Sequence, residues 1–567
     1  MSEYRLFPSV PSAVSAELAH LTPHLQQLLY RRNITDKQSA SDFLEPDYER
    51  DLHDPFLLND MDPAVCRIEL AIKKNEHILI FSDYDCDGIP GAVVLHDFFT
   101  AIGYSNFSNK IPHRHFDGFG LNIDLIKDIQ KTEPKPTLII TIDCGTTDSG
   151  AVKLASEFGI DVIITDHHEP KDVLPEAVAV VNPKVGNTYP FSGLCGAGVV
   201  FKLVQALIIK GNYKLVAGYE KWWLDMVGLA TVADMVPLLG ENRALAHYGL
   251  TVLRKSRRPG LQQLLKTQKA NQSKLTEDDI GFTIGPRINA ASRMDNPEDA
   301  FFMLATKDEG EAGAYVNHLE KLNQERKTAV ALMTKDIHKR LKLIDEVPPV
   351  LVMGNPDWRP SLVGLAASKL AEEYNRPVFL WGRDGNEKYK GSARGGGRVS
   401  VINIMEAGAE VFLEFGGHHM SGGFTVLDEY IHNFGESLNQ AFLSLGEKAD
   451  VSEPLVVDME LNLDDIDNTF IFNQNKLAPF GHSNPKPVYL FSGVTPNNVS
   501  VFGKAKDHTK LEFETNGLAK EAICFFKTPD KFAMTPKVGQ KLSLLAELEQ
   551  SFFMGRLQTR LRIVDIV

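Results

Sequence analysis

The 567-residue sequence predicts an α/β protein with two α/β regions joined by a long helix, followed by an all-β C-terminal part. From about residue 75 to 235, short apolar runs alternate with amphipathic segments, which is typical of a parallel sheet with covering helices. A smaller α/β region follows at about 348–445. From about 452 onward, short alternating strands indicate a small barrel or sandwich.

Composition excludes several classes of protein. Hydrophobic residues make up 43% and charged residues 24%, which suits a chain with several buried cores. No stretch approaches the ~18 apolar residues of a transmembrane helix, and the start lacks the pattern of a secretory signal, so we expect no membrane association. Five scattered cysteines without a CxxC pair argue against disulfides and a thiolate zinc site, and they predict a cytoplasmic location.

The net charge of −14 disfavours non-specific binding of nucleic acid by the chain as a whole. It leaves room for local basic patches. The acidic excess also includes carboxylates that could bind cations.

The first α/β region contains three strand-like runs, each followed directly by polar residues. The helix after the first run has Pro90 in its first turn, where a missing N–H costs nothing. A further helical segment at 222–238 carries Asp234 near its end. The three runs are 77–81, 138–142 and 160–165, and the predicted helices after the first two lie near 92–103 and 148–158.

A long helical pattern at 309–344 has an apolar stripe and would span roughly 50 Å. It is either a strut between domains or a long core helix. The stripe consists of Val316, Leu319, Leu322, Val330, Met333, Ile337 and Leu341.

Acidic and imidazole side chains follow all three strand-like runs. In an open parallel sheet, ligands bind beyond the carboxyl ends of the strands, so these loops should meet in one crevice that Asp234 could close. The residues are Asp83, Asp85 and Asp87 after the first run, Asp143 after the second, and Asp166, His167 and His168 after the third.

Carboxylates gathered in one crevice repel one another by on the order of 4 kcal/mol per close pair. Divalent cations relieve this repulsion, and an oxygen-rich set with imidazoles suits Mn²⁺ or Mg²⁺ better than zinc. Two such ions sharing a carboxylate would suit phosphodiester hydrolysis. An EF-hand is the alternative for DYDCDG, but the twelfth position from Asp83 is Val94 and a strand precedes the loop. A single Asp after a strand can also be a turn or cap residue.

An ordered series of motifs resembles the DHH phosphoesterase superfamily and, within it, the RecJ-type single-strand-specific exonucleases. The tail segment LAPFGHSNPKP is similar to part of that family's oligonucleotide-binding module. The series reads FSDYDCDGIPG, IPHRHFDGFGLN, TIDCGTTDSG, ITDHHEP, GLATVADMVPLLGENR, GPRINAASRMD and GGHHMSGG.

The resemblance implies a 5′-to-3′ exonuclease that hydrolyses single-stranded DNA to mononucleotides in DNA repair and recombination. It implies one or two Mn²⁺ or Mg²⁺ ions as cofactors. Single-stranded DNA is the expected partner of a monomer, with a single-strand-binding protein or a helicase as further partners. The implied domains are an N-terminal helical extension at 1–60, a DHH catalytic domain at 61–300, a connecting helix at 301–345, a DHH-associated substrate-binding domain at 346–447 and an OB-like domain at 448–567.

The resemblance also assigns roles to individual residues. Asp143 would bridge two ions, while Asp83 and Asp166 would orient the ligands, and Arg293 would offset phosphate charge during catalysis. The implied metal positions are Asp85, Asp87, Asp143, His167, His168 and Asp234. The implied DNA or phosphate contacts are Arg114, Phe119, Arg287, Arg293, Ser392, Arg394 and His418.

The sequence departs from the family pattern at Phe81, His113, Ser292 and Arg359. None of these changes removes a principal carboxylate.

The C-terminal part interleaves aromatic and basic residues, which predicts a stacking platform for single strands. Ordinary strands with inward Phe and outward Lys are the alternative. The residues include Phe502, Lys504, Phe525, Phe526, Lys527 and Arg562.

Two other functions remain open at this point. One is a DHH phosphodiesterase acting on short oligonucleotides or cyclic dinucleotides, which the long second half disfavours. The other is a catalytically inactive scaffold that binds single-stranded DNA, which the intact acidic set disfavours.

Overall fold

A computed structural model describes residues 4–385, 387–396, 399–446, 454–503, 505–515, 518–553 and 556–567. The chain forms two compact units. One contains residues 53–236 and 248–452, and the other contains 1–52, 237–247 and 453–567. Among the described residues, no helix is both long enough and apolar enough to cross a bilayer.

The strands form four sheets. In chain order they are β1 (Tyr4–Leu6), β2 (Ile78–Ser82), β3 (Phe107–Lys110), β4 (Leu138–Ile142), β5 (Asp161–Thr165), β6 (Ala179–Val181), β7 (Leu351–Gly354), β8 (Val378–Arg383), β9 (Tyr389–Arg394) and β10 (Phe412–His418). They continue with β11 (Ser421–Val426), β12 (Leu455–Val457), β13 (Met459–Glu460), β14 (Val488–Val494), β15 (Asn498–Phe502), β16 (His508–Thr515), β17 (Leu518–Cys524), β18 (Leu542–Phe553) and β19 (Arg556–Ile566).

Helices cover both α/β regions and part of the C-terminal unit. In chain order they are α1 (Ser12–Glu17), α2 (Pro23–Tyr30), α3 (Lys37–Leu44), α4 (Tyr48–Asp51), α5 (Met61–Lys74), α6 (Gly88–Ala101), α7 (Ile123–Ile129), α8 (Ser149–Glu157), α9 (Gly196–Lys210) and α10 (Leu224–Ala233). They continue with α11 (Gly240–Leu253), α12 (Pro259–Thr267), α13 (Glu277–Asp279), α14 (Gly285–Met294), α15 (Glu298–Ala305), α16 (Glu309–Leu341), α17 (Pro360–Tyr374), α18 (Val401–Ala407), α19 (Phe434–Ser444) and α20 (Asn468–Asn475).

The first α/β region contains the predicted parallel sheet. Its strand order is β3-β2-β4-β5-β6, and every pair is parallel. Every residue of β2 and β4 is buried, as the largely apolar runs ILIF and LIITI require in a sheet covered on both faces. The predicted strands and the helices that follow the first two are therefore confirmed.

The second α/β region contains a mixed five-stranded sheet in the order β10-β11-β9-β8-β7, in which only β7 and β8 run parallel. The helix α16 precedes it and confirms the predicted long helix. Asp308 caps its first turn by accepting a hydrogen bond from the Glu311 N–H at 2.8 Å, and basic residues fill its last turn. Its apolar stripe is mostly buried, and Met333, Ile337 and Leu341 belong to the core of the second α/β region.

The other unit is built around a seven-stranded sheet in the order β13-β14-β18-β19-β17-β16-β15. Most of its pairs are antiparallel, which confirms the predicted β character of the C-terminal part. The N-terminal helices share its core: Leu25 and Leu28 of α2 lie in one apolar cluster with Tyr489 and Phe513. Residues 4–52 of the predicted N-terminal helical extension at 1–60 belong to this unit.

Candidate active site

The carboxyl ends of β2, β4 and β5 lie side by side, and this places their acidic loops together. Ser82 is in register with Ile142, and Ile142 with Thr165. The next residues continue the ladder, because Asp83 N–H donates to the Ile142 carbonyl at 3.0 Å and Asp143 N–H donates to that of Thr165 at 2.9 Å. The crevice predicted at this sheet edge is therefore lined by residues that are far apart in sequence.

Acidic and imidazole atoms from these loops form three overlapping groups, each with all of its ligand atoms within 4.8 Å of one another. Nε2 of His167 lies 3.1 Å from Oδ1 of Asp143, 3.6 Å from Oδ2 of Asp87 and 3.7 Å from Oδ2 of Asp234. Asp143 and His167 each belong to two groups. The groups are Asp143–His167–His168, Asp87–His167–Asp234 and Asp83–Asp85–Asp143.

The first turn of α9 holds the carboxylate of Asp87. The backbone N–H groups of Gly196 and Ala197 donate to Asp87 Oδ2 and Oδ1 at 2.6 and 2.7 Å. These N–H groups have no partner within their own helix, and the positive end of the helix dipole favours a negative charge there. Asp85 is held locally, because its Oδ1 accepts hydrogen bonds from the N–H groups of Asp87 and Gly88 at 2.8 and 3.2 Å.

Asp143 adopts a left-handed backbone conformation with φ of 60°, which is uncommon outside glycine. Its side chain lies directly against Gly196, where a Cβ atom would come within 2.5 Å of the Asp143 Cβ. Only glycine at position 196 leaves room for Asp143 in this position.

Asp166 holds the imidazole of His168. Its Oδ1 lies 2.8 Å from Nδ1 of His168, and its Oδ2 accepts a hydrogen bond from the Thr146 N–H at 2.9 Å. Burial disfavours the charged forms of both Asp166 and His168, but the attraction between the two side chains is stronger than this effect. The pKa of Asp166 is held below its usual range, and the pKa of His168 is raised to about 9.

The remaining carboxylates are forced together in a buried place. Burial, and then the charge of Asp85, raises the pKa of Asp87 to about 7, and burial with Asp87 raises that of Asp234 to about 9. Burial also raises the pKa of Asp83 and Asp143 well above the usual value, helped by Asp85 and Asp87 respectively. Without a cation, the ionised forms of these carboxylates are therefore unfavourable, as expected for a site that binds cations.

The donor set fits a hard divalent cation. Neither Oδ1 of Asp83 nor Oδ1 of Asp143 has a hydrogen-bond donor of suitable geometry among the described residues, although both atoms are buried. Mn²⁺ accepts carboxylate oxygens together with one or two imidazoles as ligands. Mg²⁺ prefers oxygen ligands, which the carboxylates supply.

Several arginines of the same unit lack a carboxylate partner among the described residues. Arg114 lies over the ring of Tyr84 at 5.1 Å. Arg293 donates to the Ser361 carbonyl at 2.7 Å, and Arg394 donates to Ser368 Oγ at 3.1 Å. Burial, and then the charges of Arg114, Arg326 and Arg394, lower the pKa of Arg293 to about 9. These guanidinium groups therefore lie close enough to repel one another.

The other predicted DNA contacts differ in their surroundings. Phe119 is 57% exposed, and its ring lies 6.2 Å from that of His168. Ser392 and Arg394 both lie against Gly364. A Cβ atom added to Gly364 would fall 2.8 Å from Arg394 Nη2 and 3.2 Å from Ser392 Oγ.

Arg287 and His418 are not members of the arginine group, by which we mean Arg114, Arg293 and Arg394. Arg287 is buried and bound to Glu320 at 2.6 Å and to the Thr283 carbonyl at 2.7 Å. His418 is exposed at the end of β10, next to the turn into β11.

The positions that depart from the family pattern have ordinary surroundings. Phe81 is fully buried in β2, and Ser292 is buried within α14. His113 packs on Phe116 with ring centroids 4.5 Å apart, and Arg359 precedes the first turn of α17.

The other unit carries an aromatic cluster at the positions predicted as a stacking platform. The rings of Phe502, His508 and Phe525 meet edge to face, and Arg562 lies 4.3 Å over Phe525. Phe526 is 73% exposed beside His508. Lys504 lies outside the described residues.

Three features of the site escaped the sequence reasoning. The N–H groups that hold Asp87 carry no side-chain signal. Asn182 is fully buried and donates to the His168 carbonyl at 2.9 Å. Arg326 interrupts the apolar stripe of α16, and this interruption was the one available signal.

Comparison with known proteins gives a consistent result. The DHH family N-terminal domain matches residues 77–231, the DHHA1 domain matches 348–444, and the RecJ OB domain matches 457–565. The single-stranded-DNA-specific exonuclease RecJ of Bacillus subtilis (strain 168) is 33% identical over 555 residues, which cover 97% of this chain and 68% of that protein.

Two solved structures are similar. The crystal structure of RecJ in complex with Mn²⁺ from Thermus thermophilus has a TM-score of 0.82 at 25% identity, covering 100% of this chain and 79% of that one. The crystal structure of exonuclease RecJ bound to manganese has a TM-score of 0.58 at 30% identity, covering 68% and 94% of the two chains.

Proposed function

This chain belongs to the RecJ family of single-stranded-DNA-specific exonucleases, and on that premise we propose that it degrades single-stranded DNA stepwise from the 5′ end with Mn²⁺ or Mg²⁺. The observation that carries the proposal is the meeting of Asp83, Asp85, Asp87, Asp143, Asp166, His167, His168 and Asp234 at one sheet edge. We further propose mononucleotide products, a role in repair and recombination, and a cytoplasmic monomer. The rival reading as a phosphodiesterase for small substrates is not favoured, because the RecJ match includes the OB domain.

Asp85, Asp87, Asp143, His167, His168 and Asp234 would hold the ions in this proposal, with Asp143 shared between two groups. Bound divalent ions supply the Lewis acidity that activates water and stabilises the leaving oxygen. Asp166 holds Nδ1 of His168 at 2.8 Å and so fixes the orientation of this imidazole beside Asp143. The N–H groups at the start of α9 orient both oxygens of Asp87 and, unlike a basic side chain, do not neutralise its negative charge.

The arginine group would hold the substrate. Arg293 would offset phosphate charge near the acidic site, because it is mostly buried and has no carboxylate partner of its own among the described residues. Arg394 and Ser392 would bind the terminal phosphate, since a guanidinium can bond two phosphate oxygens at once. Arg287 is occupied by Glu320, so a direct contact with DNA stays a prediction.

The basic test is degradation of an end-labelled single strand and of its duplex form, each with Mn²⁺, Mg²⁺ or a chelator. We expect metal-dependent loss of the single strand from its 5′ end and little loss of the duplex. Equal degradation of both forms, or activity in the chelator, would contradict the proposal.

Replacing Arg394 with Gln should remove the advantage of a 5′-phosphorylated strand. A lost charge-assisted contact of this kind is worth about 1.5–3 kcal/mol, so we expect KM for the phosphorylated strand to rise roughly tenfold or more and to approach that of a hydroxyl-ended strand. The matched control is Arg383→Gln on β8, whose guanidinium is bound to the Tyr389 hydroxyl at 2.7 Å. Identical kinetics for the two strand ends in the wild-type protein would rule out the pocket.

Replacing Phe119 with Ala should weaken strand binding more than it slows catalysis. Its exposed ring beside His168 can stack on a base, and such stacking contributes about 1–3 kcal/mol. We expect KM to rise about tenfold in Phe119→Ala by that measure. Phe119→Tyr should keep KM near the wild-type value, and a rise in this variant equal to that in Phe119→Ala would argue against stacking.

A further inference from the structure

Arg326 of the long helix α16 is half-buried yet lacks an acidic partner. Its guanidinium donates from Nη2 and Nε to Oδ1 of Asn323, at 2.9 and 3.3 Å. Asn323 lies three residues earlier on α16 and is fully buried. Within the described part of the chain, no carboxylate oxygen comes within 4.0 Å of Arg326, so its charge is not neutralised by the protein.

Three arginines elsewhere in this unit are neutralised by carboxylates. Arg258 binds Asp225 and Asp97, each at 2.8 Å, and Arg287 on the facing helix α14 binds Glu320 at 2.6 Å. Arg67 binds Asp161 and Glu76 at 2.6 and 2.7 Å. Each of these three arginines has a carboxylate partner, and Arg326 has none among the described residues. It shares this property with Arg114, Arg293 and Arg394.

Arg326 also lies near other positive charges. Burial and the neighbouring Arg287 lower the pKa of Arg326, and Arg326 in turn helps to lower that of Arg293. Arg293 bonds to Ser361 at the start of α17, so this positive region spans α14, α16 and α17. Positive charges gathered in this way are unfavourable unless an anion is bound. Single-stranded DNA, the substrate in the proposed function, supplies such an anion in its phosphate backbone.

We infer that Arg326 is a further DNA-phosphate contact of this enzyme, that Asn323 is the positioning residue that orients it, and that the helix joining the two α/β regions therefore helps to hold the strand. The inference rests on the proposed function and extends it to a residue on α16. Asn323 leaves Nη1 of Arg326 without a hydrogen-bond partner among the described residues, so this side of the guanidinium can approach a phosphate oxygen.

The test compares Arg326→Gln with Lys327→Gln, which removes the same charge from the next, exposed position of the helix. Binding of a 5′-phosphorylated single strand is measured in a chelator over a series of salt concentrations. One lost phosphate contact should flatten the slope of log K against log salt by about 0.7 and weaken binding roughly tenfold. Lys327→Gln should match the wild-type protein in slope and affinity. In Mn²⁺, Arg326→Gln should raise KM and leave kcat near the wild-type value.

A wild-type slope and KM in Arg326→Gln would overturn the inference even if the wild-type protein degrades single strands as expected. Failure of the wild-type protein to degrade them would instead count against the proposed function. If Arg326→Gln melts at a lower temperature, Arg326→Lys is decisive. This variant keeps the charge but loses the fork, so it should keep the slope and bind more weakly. A slope in Arg326→Lys as flat as in Arg326→Gln would show that the retained charge makes no difference, so the loss would come from the fold, and the inference would be overturned.

Discussion

Replacing Asp143 with Asn should abolish exonuclease activity while leaving the protein folded. Asp143 is buried and belongs to two of the three groups that could hold a cation, so its loss weakens both. Replacing a residue that only hydrogen-bonds to a metal ligand lowers activity by up to roughly 100-fold, and we expect a larger fall in rate when the ligand itself is lost. The measurement is release of label from a single strand in Mn²⁺.

Thermal unfolding separates loss of the site from loss of the fold. An ion that binds only the native state raises its stability by about 2.7 kcal/mol at 100 times the Kd. The melting temperature of the wild-type protein should therefore rise on addition of Mn²⁺. The rise should be smaller in Asp143→Asn, while the metal-free variant should melt no lower than the wild-type protein, because one of several repelling carboxylates is gone. Normal turnover in the variant would refute the assigned role of Asp143.

Replacing Gly196 with Ala should disable the site through one methyl group. The new Cβ would fall 2.5 Å from the Cβ of Asp143 and 2.9 Å from its Oδ1, so Asp143 must move. Gly196 also supplies an N–H to Asp87, so two site carboxylates are disturbed together. A displacement of about 1 Å in a catalytic group can cost roughly 100-fold in rate, and overpacking costs about 1–3 kcal/mol of stability.

Gly198→Ala is the matched control, because it lies in the same turn of α9. The atoms nearest to its new Cβ would be Cys195 Sγ and two Leu194 side-chain atoms, at the ordinary distance of 3.6 Å. We expect it to keep wild-type activity and to gain up to about 1 kcal/mol of stability from the better helix former. Equal activity in the two variants would show that the approach of Gly196 to Asp143 is not needed.

The predicted fold class, the parallel sheet and the long helix are confirmed because they depend on local signals. The runs that became β2 and β4 are largely apolar and do not alternate with polar residues, as a sheet covered on both faces requires. The acidic residues were expected together because parallel strands end at a common edge, and the structure gathers them there. Their roles as ligands, and those of the DNA contacts, stay predictions.

The strands along the chain, the residues that follow them and the family resemblance of these motifs could all be recognised without coordinates. Which arginines are neutralised became visible in the folded chain, because Arg287 and Arg326 look alike in sequence but Arg287 binds Glu320 and Arg326 has no carboxylate among the described residues. The fold also shows that the N-terminal helices share a core with the C-terminal sheet. Both facts depend on contacts between distant segments, and a local pattern of charge or hydrophobicity does not specify its partner.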